Sequence, residues 1–168
     1  CRKCRDQVPP VPYPDIVRVV ETELGRPLHE VFRSFDPVPL AAASIAQVHA
    51  AVLRTGEPVV VKVQRPNIDA QIRRDLRVLS WLAPFLVGRI PFTALANPPA
   101  LVELFAETIV EELDFRLEAD NMLDIAQVFV TLGRPGFVVP RPHPTLVTRR
   151  VLIMERLEGF GFDDAGGM

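Results

Sequence analysis

The spacing of apolar residues predicts strands in the first part of the chain. Residues 45–53 and 58–64 are apolar at most positions, and the RTGE sequence at 54–57 between them includes a glycine suited to a tight turn. This arrangement predicts an antiparallel hairpin with both faces covered, because neither face carries a regular row of polar side chains. Residues 31–35 predict a further short strand before the hairpin.

Helical spacing is found on both sides of the hairpin. A short helix is predicted over residues 16–24, with Gly25 as its end. After the hairpin, apolar residues at helical spacing run towards Pro84, and a longer helical pattern extends from residue 100 to about 132. Residues 145–155 then predict two short strands. This order of elements predicts an α+β fold without internal repeats.

The composition is that of a folded protein with an ordinary core. The chain has 168 residues, of which 48% are hydrophobic and 24% are charged, so it fits one domain. A net charge of -2 provides no basic surface for phosphates, and we expect no nucleic-acid partner. No apolar run reaches the roughly 18 to 20 residues of a membrane span, and no signal-peptide pattern is present.

The N-terminal residues predict a connector and no metal site. Residues 1–14 are rich in proline and begin with Cys1, so we expect a connector and a segment of a longer protein. Cys1 and Cys4 form a CxxC pair, but the three histidines lie in unrelated segments. Because a zinc site needs about four ligands, no metal or redox site is expected.

Lys62 is the first residue that suggests chemistry. It lies in the apolar sequence VVVKV, where it shares a strand face with Val60 and Gln64. From the strand alone, the preferred interpretation is a lysine at a sheet edge that extends its ammonium group into water. A buried lysine needs a partner acid to stay charged, so such a partner would change this interpretation.

The predicted long helix offers acids in the sequence EELDFRLEADN, residues 111–121. Asp114 and Glu118 are four residues apart and share a helix face, whereas Glu112 lies about 120° away from Glu118 at ~100° per residue. One interpretation is that the two acidic faces meet different partners. The alternative is a solvated acidic surface that Arg116 partly neutralises.

Four sequences in this order resemble the UbiB/AarF (ADCK-type, coenzyme Q-associated) atypical protein-kinase-like family: AAASIAQVH, VVVKVQRP, ELDFRLEADN and VLIMERLEG. The resemblance covers residues 6–161. It implies a protein-kinase-like N-terminal lobe, with an antiparallel sheet, an αC-type helix and an extra family-specific helix, and without a C-terminal lobe. The domain boundaries are then residues 1–14 for the connector, 15–157 for the lobe and 158–168 for the hinge exit.

The resemblance implies a role for individual residues. Lys62 corresponds to the kinase lysine that holds the α- and β-phosphates, and Glu118 to the helix glutamate that pairs with it. Glu112 and Asp114 correspond to the family's ExD motif. Alanines replace the glycines of the kinase phosphate loop, which we expect to make this loop stiffer. The implied nucleotide-binding residues are Ala41, Ala42, Ala43, Ser44, Val48, Val60, Lys62, the gatekeeper Met154, and the hinge residues Glu155 and Leu157.

The resemblance also implies partners and a location. The ligand is ATP or ADP, and Mg²⁺ is expected only in the full-length protein, because the catalytic loop, the DFG-type metal motif and the KxGQ extension are not in this sequence. We therefore expect no ATP turnover by these residues alone, and self-association through the surface meant for the C-terminal lobe. The family is an atypical kinase or ATPase (transferase) class linked to ubiquinone or isoprenoid lipids. The full-length protein is expected to be cytoplasmic and membrane-associated.

The sequence leaves two other hypotheses about function open. One is a non-catalytic, pseudokinase-like module that binds a protein partner. The other is a structural domain unrelated to nucleotides, which requires Lys62 and Glu118 to lie apart.

Overall fold

A five-stranded antiparallel sheet forms the centre of the fold, with the strand order β1-β2-β3-β5-β4. The computed structural model describes residues 9–86, 98–133 and 136–157. This architecture confirms the predicted α+β class. The elements are α1 (Tyr13–Leu24), α2 (Leu28–Val31), β1 (Phe32–Ala42), β2 (Ala46–Leu53), β3 (Pro58–Gln64), α3 (Ile68–Leu86), α4 (Pro98–Glu112), α5 (Phe115–Thr131), β4 (Pro142–Val147) and β5 (Val151–Glu155).

The predicted hairpin is present as β2 and β3. Strand β3 has the predicted bounds, and β2 begins at Ala46, one residue later than predicted. Gly56 closes the turn with a positive φ of 98°, and its N–H donates to the Leu53 carbonyl at 2.9 Å. The two strands predicted within residues 145–155 are β4 and β5, although β4 begins earlier, at Pro142.

Strand β1 is longer than predicted. The prediction covered residues 31–35, whereas the strand runs to Ala42 and its pairing with β2 shifts register on both sides of Pro39. Proline has no N–H to donate to a neighbouring strand, so within sheets it occurs mainly in edge strands. Strand β1 lies at the edge of the sheet. The prolines at 37 and 39 therefore hide this strand from a prediction based on residue type.

The single helix predicted over residues 100–132 is wrong, because α4 and α5 are separated at Leu113 and Asp114. Asp114 has an extended backbone (φ −118°, ψ 98°), and its carboxylate accepts a hydrogen bond from the Arg116 N–H. It is thus the N-cap of α5. Leu113, just before it, is buried. The apolar spacing continues through the break, which explains why periodicity did not reveal it.

Two apolar cores lie on opposite faces of the sheet. On one face, α1 buries Ile16 and Val20 in a cluster that includes Val61 and Val63 of β3. On the other face, Phe115 and Ala119 of α5 pack against Ala46 and Leu152. Because successive residues of a strand point to opposite faces, the Lys62 side chain lies on the α5 side.

A buried polar network links the segment before α1 to the sheet. His49 and Gln47 on β2 have no exposed surface. His49 Nδ1 lies 2.9 Å from the Asp36 carbonyl oxygen, so this nitrogen must carry the proton and donate it. Nε2 is then the acceptor for Gln47 Nε2, 3.3 Å away, and Gln47 Oε1 accepts from the Val11 N–H. One neutral tautomer of His49 therefore satisfies the whole network.

Candidate functional site

An ion pair joins β3 to α5. Lys62 Nζ donates to both carboxylate oxygens of Glu118, at 2.8 Å to Oε1 and 2.6 Å to Oε2. The two side chains are 24% and 39% exposed, so the pair lies at the border of the interior. Lys62 Nζ also lies 4.7 Å from the centroid of the Phe115 ring, a cation–π distance. The interpretation of Lys62 as an unpaired edge lysine is therefore wrong, and the purely structural alternative, which required separated charges, loses its support.

Neighbouring strands surround Lys62 with apolar side chains. Lys62 is paired in register with Val48 on β2 and with Leu152 on β5, and Val60 is paired with Met154. Residues directly opposite each other in a ladder point to the same face, as do residues two apart in one strand. Val48, Val60 and Met154 are each only partly buried, so this face remains accessible. The structure thus brings together Lys62 and three of the apolar residues that the resemblance assigned to the nucleotide.

The alanine-rich stretch forms the turn between β1 and β2, beyond the Val48–Lys62 pair. Ala41 and Ala42 belong to β1, and Ala41 lies opposite Val48. The turn itself is closed by a hydrogen bond from the Ala43 N–H to the Ala46 carbonyl at 2.8 Å. The predicted phosphate loop is therefore a tight hairpin turn at the same end of the sheet as Lys62.

Arg65 holds this turn in place. Its Nε donates to the Ala43 carbonyl at 2.9 Å, and its Nη2 donates to the Pro9 carbonyl at 3.0 Å. Ser44 is exposed at the tip of the turn. Among the described residues other than glycine, only Asn67 has a positive φ, so the alanines adopt no left-handed backbone. The turn is therefore built without the strain that a Cβ would cause in a glycine-type conformation.

The segment after β5 corresponds to the predicted hinge. The Glu155 N–H donates to the Arg141 carbonyl at 2.9 Å, and the Arg156 N–H donates to the Pro58 carbonyl at 3.4 Å. Both donors are therefore used within the sheet. Leu157 follows, with 39% of its surface exposed.

Of the two acids in the predicted ExD motif, the structure describes the side-chain contacts of Asp114. Asp114 is bound by Arg116 through Oδ1···Nε at 2.9 Å and Oδ2···Nη2 at 2.6 Å. This hydrogen bond is the main reason that the pKa of Asp114 is lowered, and burial opposes it in part. The predicted shared face of Asp114 and Glu118 assumed one continuous helix, whereas Asp114 is the N-cap of α5 and precedes its first turn. Glu112 ends α4, and its side chain lies outside the described part of the structure.

Two residues beside the ion pair were not predicted as site residues. Phe115 lies under the Lys62 ammonium, and Gln64 is fully buried two residues further along β3. The alternation of β3 placed Gln64 on the same face as Lys62, but sequence alone gave no indication of what its amide contacts.

A cleft of about 970 Å³ lies away from the ion pair, between the start of β3, the end of α5 and residues 137–144. Lys62 and Glu118 do not line it. In the ranges that the structure describes, no group of three or more His, Cys, Asp or Glu side chains is placed to hold a metal ion. None of the helices in those ranges has the length and apolar character needed to cross a membrane.

Comparison with known proteins identifies the family. A sequence profile of the ABC1 atypical kinase-like domain matches residues 3–168. The chain belongs to this family. The resemblance drawn from the four motifs is thereby confirmed. The predicted kinase-like lobe also matches a solved structure of the Rv3197–erythromycin complex from Mycobacterium tuberculosis, with a TM-score of 0.76 and 34% identity over 93% of this chain and 38% of that chain.

Curated relatives of this ABC1 domain are longer proteins. A probable protein kinase UbiB of Pseudomonas aeruginosa is 41% identical over 161 residues, which cover 95% of this chain and 30% of that protein. The Arabidopsis thaliana protein ACTIVITY OF BC1 COMPLEX KINASE 1, chloroplastic, is 40% identical over 161 residues, covering 95% of this chain and 23% of that protein. The chain therefore spans about a quarter to a third of the length of these relatives.

Proposed function

We propose that this ABC1 domain segment is the nucleotide-binding lobe of an atypical kinase or ATPase, with ATP or ADP as its ligand. The observation that carries the proposal is the contact between Lys62 and Glu118, in which one ammonium group donates to both carboxylate oxygens. Such a charge-assisted contact with two hydrogen bonds fixes the direction of the lysine side chain. A lysine held in this way is suited to contact the α- and β-phosphates of a nucleotide.

The surroundings of Lys62 fit a molecule with a flat apolar part and a polyanionic part. Val48, Val60 and Met154 offer partly buried apolar surface on the face that carries the ammonium group. An adenine ring would pack on these side chains, and the Leu157 N–H is the proposed donor to its edge. The phosphates would then extend towards Lys62 and the turn of Ala41, Ala42, Ala43 and Ser44.

The alanine turn should contact phosphates less closely than a glycine loop does. Each Cβ occupies space that a phosphate oxygen would otherwise use, and Arg65 holds the Ala43 carbonyl at 2.9 Å. We therefore expect the turn to act mainly as a cover over the nucleotide, with the Ser44 hydroxyl as its polar contact.

For the whole protein, we assign residues 15–157 to this lobe, 1–14 to a connector and 158–168 to the hinge exit. Mg²⁺ is expected only with the full-length protein, since this lobe supplies the lysine and not the metal-binding acids. The name of the UbiB relative, a probable protein kinase, supports the kinase class. A link to ubiquinone or isoprenoid lipids and association with a membrane are further proposals for the whole protein. A cytoplasmic location stays a prediction, and the relative ACTIVITY OF BC1 COMPLEX KINASE 1 is named chloroplastic.

The test is a titration with ATP and with ADP, each with and without Mg²⁺, of the wild type, Lys62→Ala and the control Val61→Ala. Val61 is the adjacent residue and is buried on the opposite face, so its truncation lowers stability without touching the site. We expect saturable binding in the wild type and the control, and binding weaker by roughly ten- to hundredfold in Lys62→Ala, because hydrogen bonds from a charged donor are lost. A folded wild type that shows no saturable binding at millimolar nucleotide would overturn the proposal.

A second candidate function is a non-catalytic module that binds a protein partner. Large apolar side chains on α3 and α4 are exposed, including Trp81 at 68%, Leu104 at 60% and Phe105 at 51%. Exposed apolar surface of this kind marks interaction sites in many proteins. Partner binding by a wild type that binds no nucleotide would favour this function over the first.

A further inference from the structure

Gln64 is a buried amide that connects three segments of the fold. It has no exposed surface and lies two residues after Lys62 on the same face of β3. Its Nε2 donates to the Leu113 carbonyl at 2.6 Å and to the Arg149 carbonyl at 3.2 Å. Leu113 belongs to the break between α4 and α5, and Arg149 to the turn between β4 and β5. One side chain therefore joins β3 to both of these connections.

Backbone hydrogen bonds surround this amide and extend its effect to α5. The Phe115 N–H donates to the Arg149 carbonyl at 3.0 Å, and the Gln64 N–H donates to the Arg150 carbonyl at 2.9 Å. Phe115 is the first residue of α5, and Glu118 lies in its first turn. The position of the Glu118 carboxylate thus depends on the short segment that Gln64 holds against the sheet.

The two polar atoms of the Gln64 amide differ: Nε2 donates two hydrogen bonds, whereas Oε1 accepts none within the described residues. Within the described part of the chain, Gln64 Oε1 is buried and has no hydrogen-bond partner. An unpaired buried acceptor is unfavourable, so leucine or methionine would suit this position better if only volume mattered. Both contacts instead use Nε2, and exchanging the amide nitrogen and oxygen would place Oε1 against two carbonyl oxygens. The donor group is therefore the reason for an amide here.

We propose that Gln64 is a positioning residue that sets the distance between Lys62 and Glu118. It does so by holding the junction of α4 and α5 against β3, the strand that carries Lys62. Without the amide, the Leu113 and Arg149 carbonyls lose their shared donor, and the start of α5 is held by the packing of Phe115 and Ala119 and by one backbone hydrogen bond to Arg149. The helix start can then move away from the sheet, which separates the two charges. The importance of this distance for a nucleotide rests on the proposed function, whereas the positioning itself does not.

The experiment compares Gln64→Met, which has a similar length and no donor, with the control Val61→Ala. Hydrogen exchange of residues 113–119, measured by mass spectrometry, should become at least about tenfold faster in Gln64→Met, because opening of the junction no longer breaks two hydrogen bonds. In Val61→Ala, exchange in this segment should follow only the change in global stability. Equal exchange in the two variants at matched global stability would overturn the proposal.

A second measurement tests the coupling of Gln64 to the ion pair. Glu118→Gln should weaken nucleotide binding in the wild-type background and have little further effect in Gln64→Met, because the pair is already separated there. Additive effects of the two substitutions would contradict the proposal. If Gln64→Met does not fold, Gln64→Asn replaces it, since one methylene less weakens both contacts and keeps an amide. If the wild type binds no nucleotide, the proposed function fails, and the exchange measurement still decides the role of Gln64.

Discussion

Acidification should destabilise this lobe through His49. The buried ring is held as one neutral tautomer, with Nδ1 donating to the Asp36 carbonyl and Nε2 accepting from Gln47. A proton added at Nε2 turns this atom into a donor that faces another donor, so the contact with Gln47 is lost. Burial accordingly lowers the pKa of His49 below its ordinary value of 6.5, while the hydrogen bond to the Asp36 carbonyl and the Asp36 charge oppose the shift.

The direction and size of the effect follow from proton linkage. In the unfolded chain His49 binds its proton near pH 6.5, and in the folded protein it does so only at lower pH. Between these two values the unfolded state binds more protons, so the free energy of unfolding falls as the pH falls. Above the unfolded value, the contribution of His49 is constant. For one proton the slope reaches at most about 1.4 kcal/mol per pH unit.

The assay is urea unfolding of the wild type and of His49→Phe between about pH 7.5 and about pH 5. Phenylalanine keeps a ring next to Phe35, whose ring centroid lies 5.2 Å from that of His49, but it does not titrate. His49→Phe should be less stable than the wild type near pH 7, because it leaves the Gln47 amide without its acceptor. Its stability should then fall less steeply with acid, so the two curves converge. His29→Gln, at an exposed position, should keep the wild-type slope. Parallel curves for the wild type and His49→Phe would refute the reasoning.

Two further predictions concern the helices. Asp114→Ala should lower the free energy of unfolding by about 1 kcal/mol in urea titrations, because α5 loses its N-cap. Asp114→Asn should retain most of this stability, since an asparagine side chain can also cap the helix. Equal losses in the two variants would argue against a capping role. Trp81→Gln should reduce concentration-dependent self-association in sedimentation experiments, since Trp81 and Phe85 form an exposed aromatic pair with centroids 5.2 Å apart. Unchanged association would show that other surfaces are responsible.

Local patterns predicted the elements whose ends are marked by local signals. The α1 helix ends at Gly25, which has a φ of +67°, and the hairpin turns at Gly56. The break between α4 and α5 and the length of β1 could not be predicted in the same way. At the break, the Leu113 carbonyl accepts a hydrogen bond from Gln64, which is distant in sequence, and β1 extends past its prolines because β2 offers it a partner. Tertiary contacts outweigh propensity at both places.

The candidate site also depends on contacts between residues that are distant in sequence. Lys62 and Glu118 are separated by 56 positions, so their contact exists only once β3 and α5 pack together. The residues alone favoured a solvated lysine, and the family resemblance supplied the pairing. The amide of Gln64 gave no sequence signal, because its role depends on where the carbonyls of Leu113 and Arg149 lie.

The central claim, that Lys62 contacts the phosphates of a bound nucleotide, can be tested by covalent labelling. An acyl-phosphate derivative of ATP transfers its acyl group to an amine beside the phosphates, forming an amide and releasing ATP. The chain contains only two lysines, Lys3 and Lys62, so Lys3 is an internal control. Peptide mass spectrometry should find Lys62 acylated, with excess ATP protecting it and leaving any labelling of Lys3 unchanged. Labelling of Lys62 that ATP does not reduce, or labelling of Lys3 alone in the folded protein, would contradict the proposed nucleotide site.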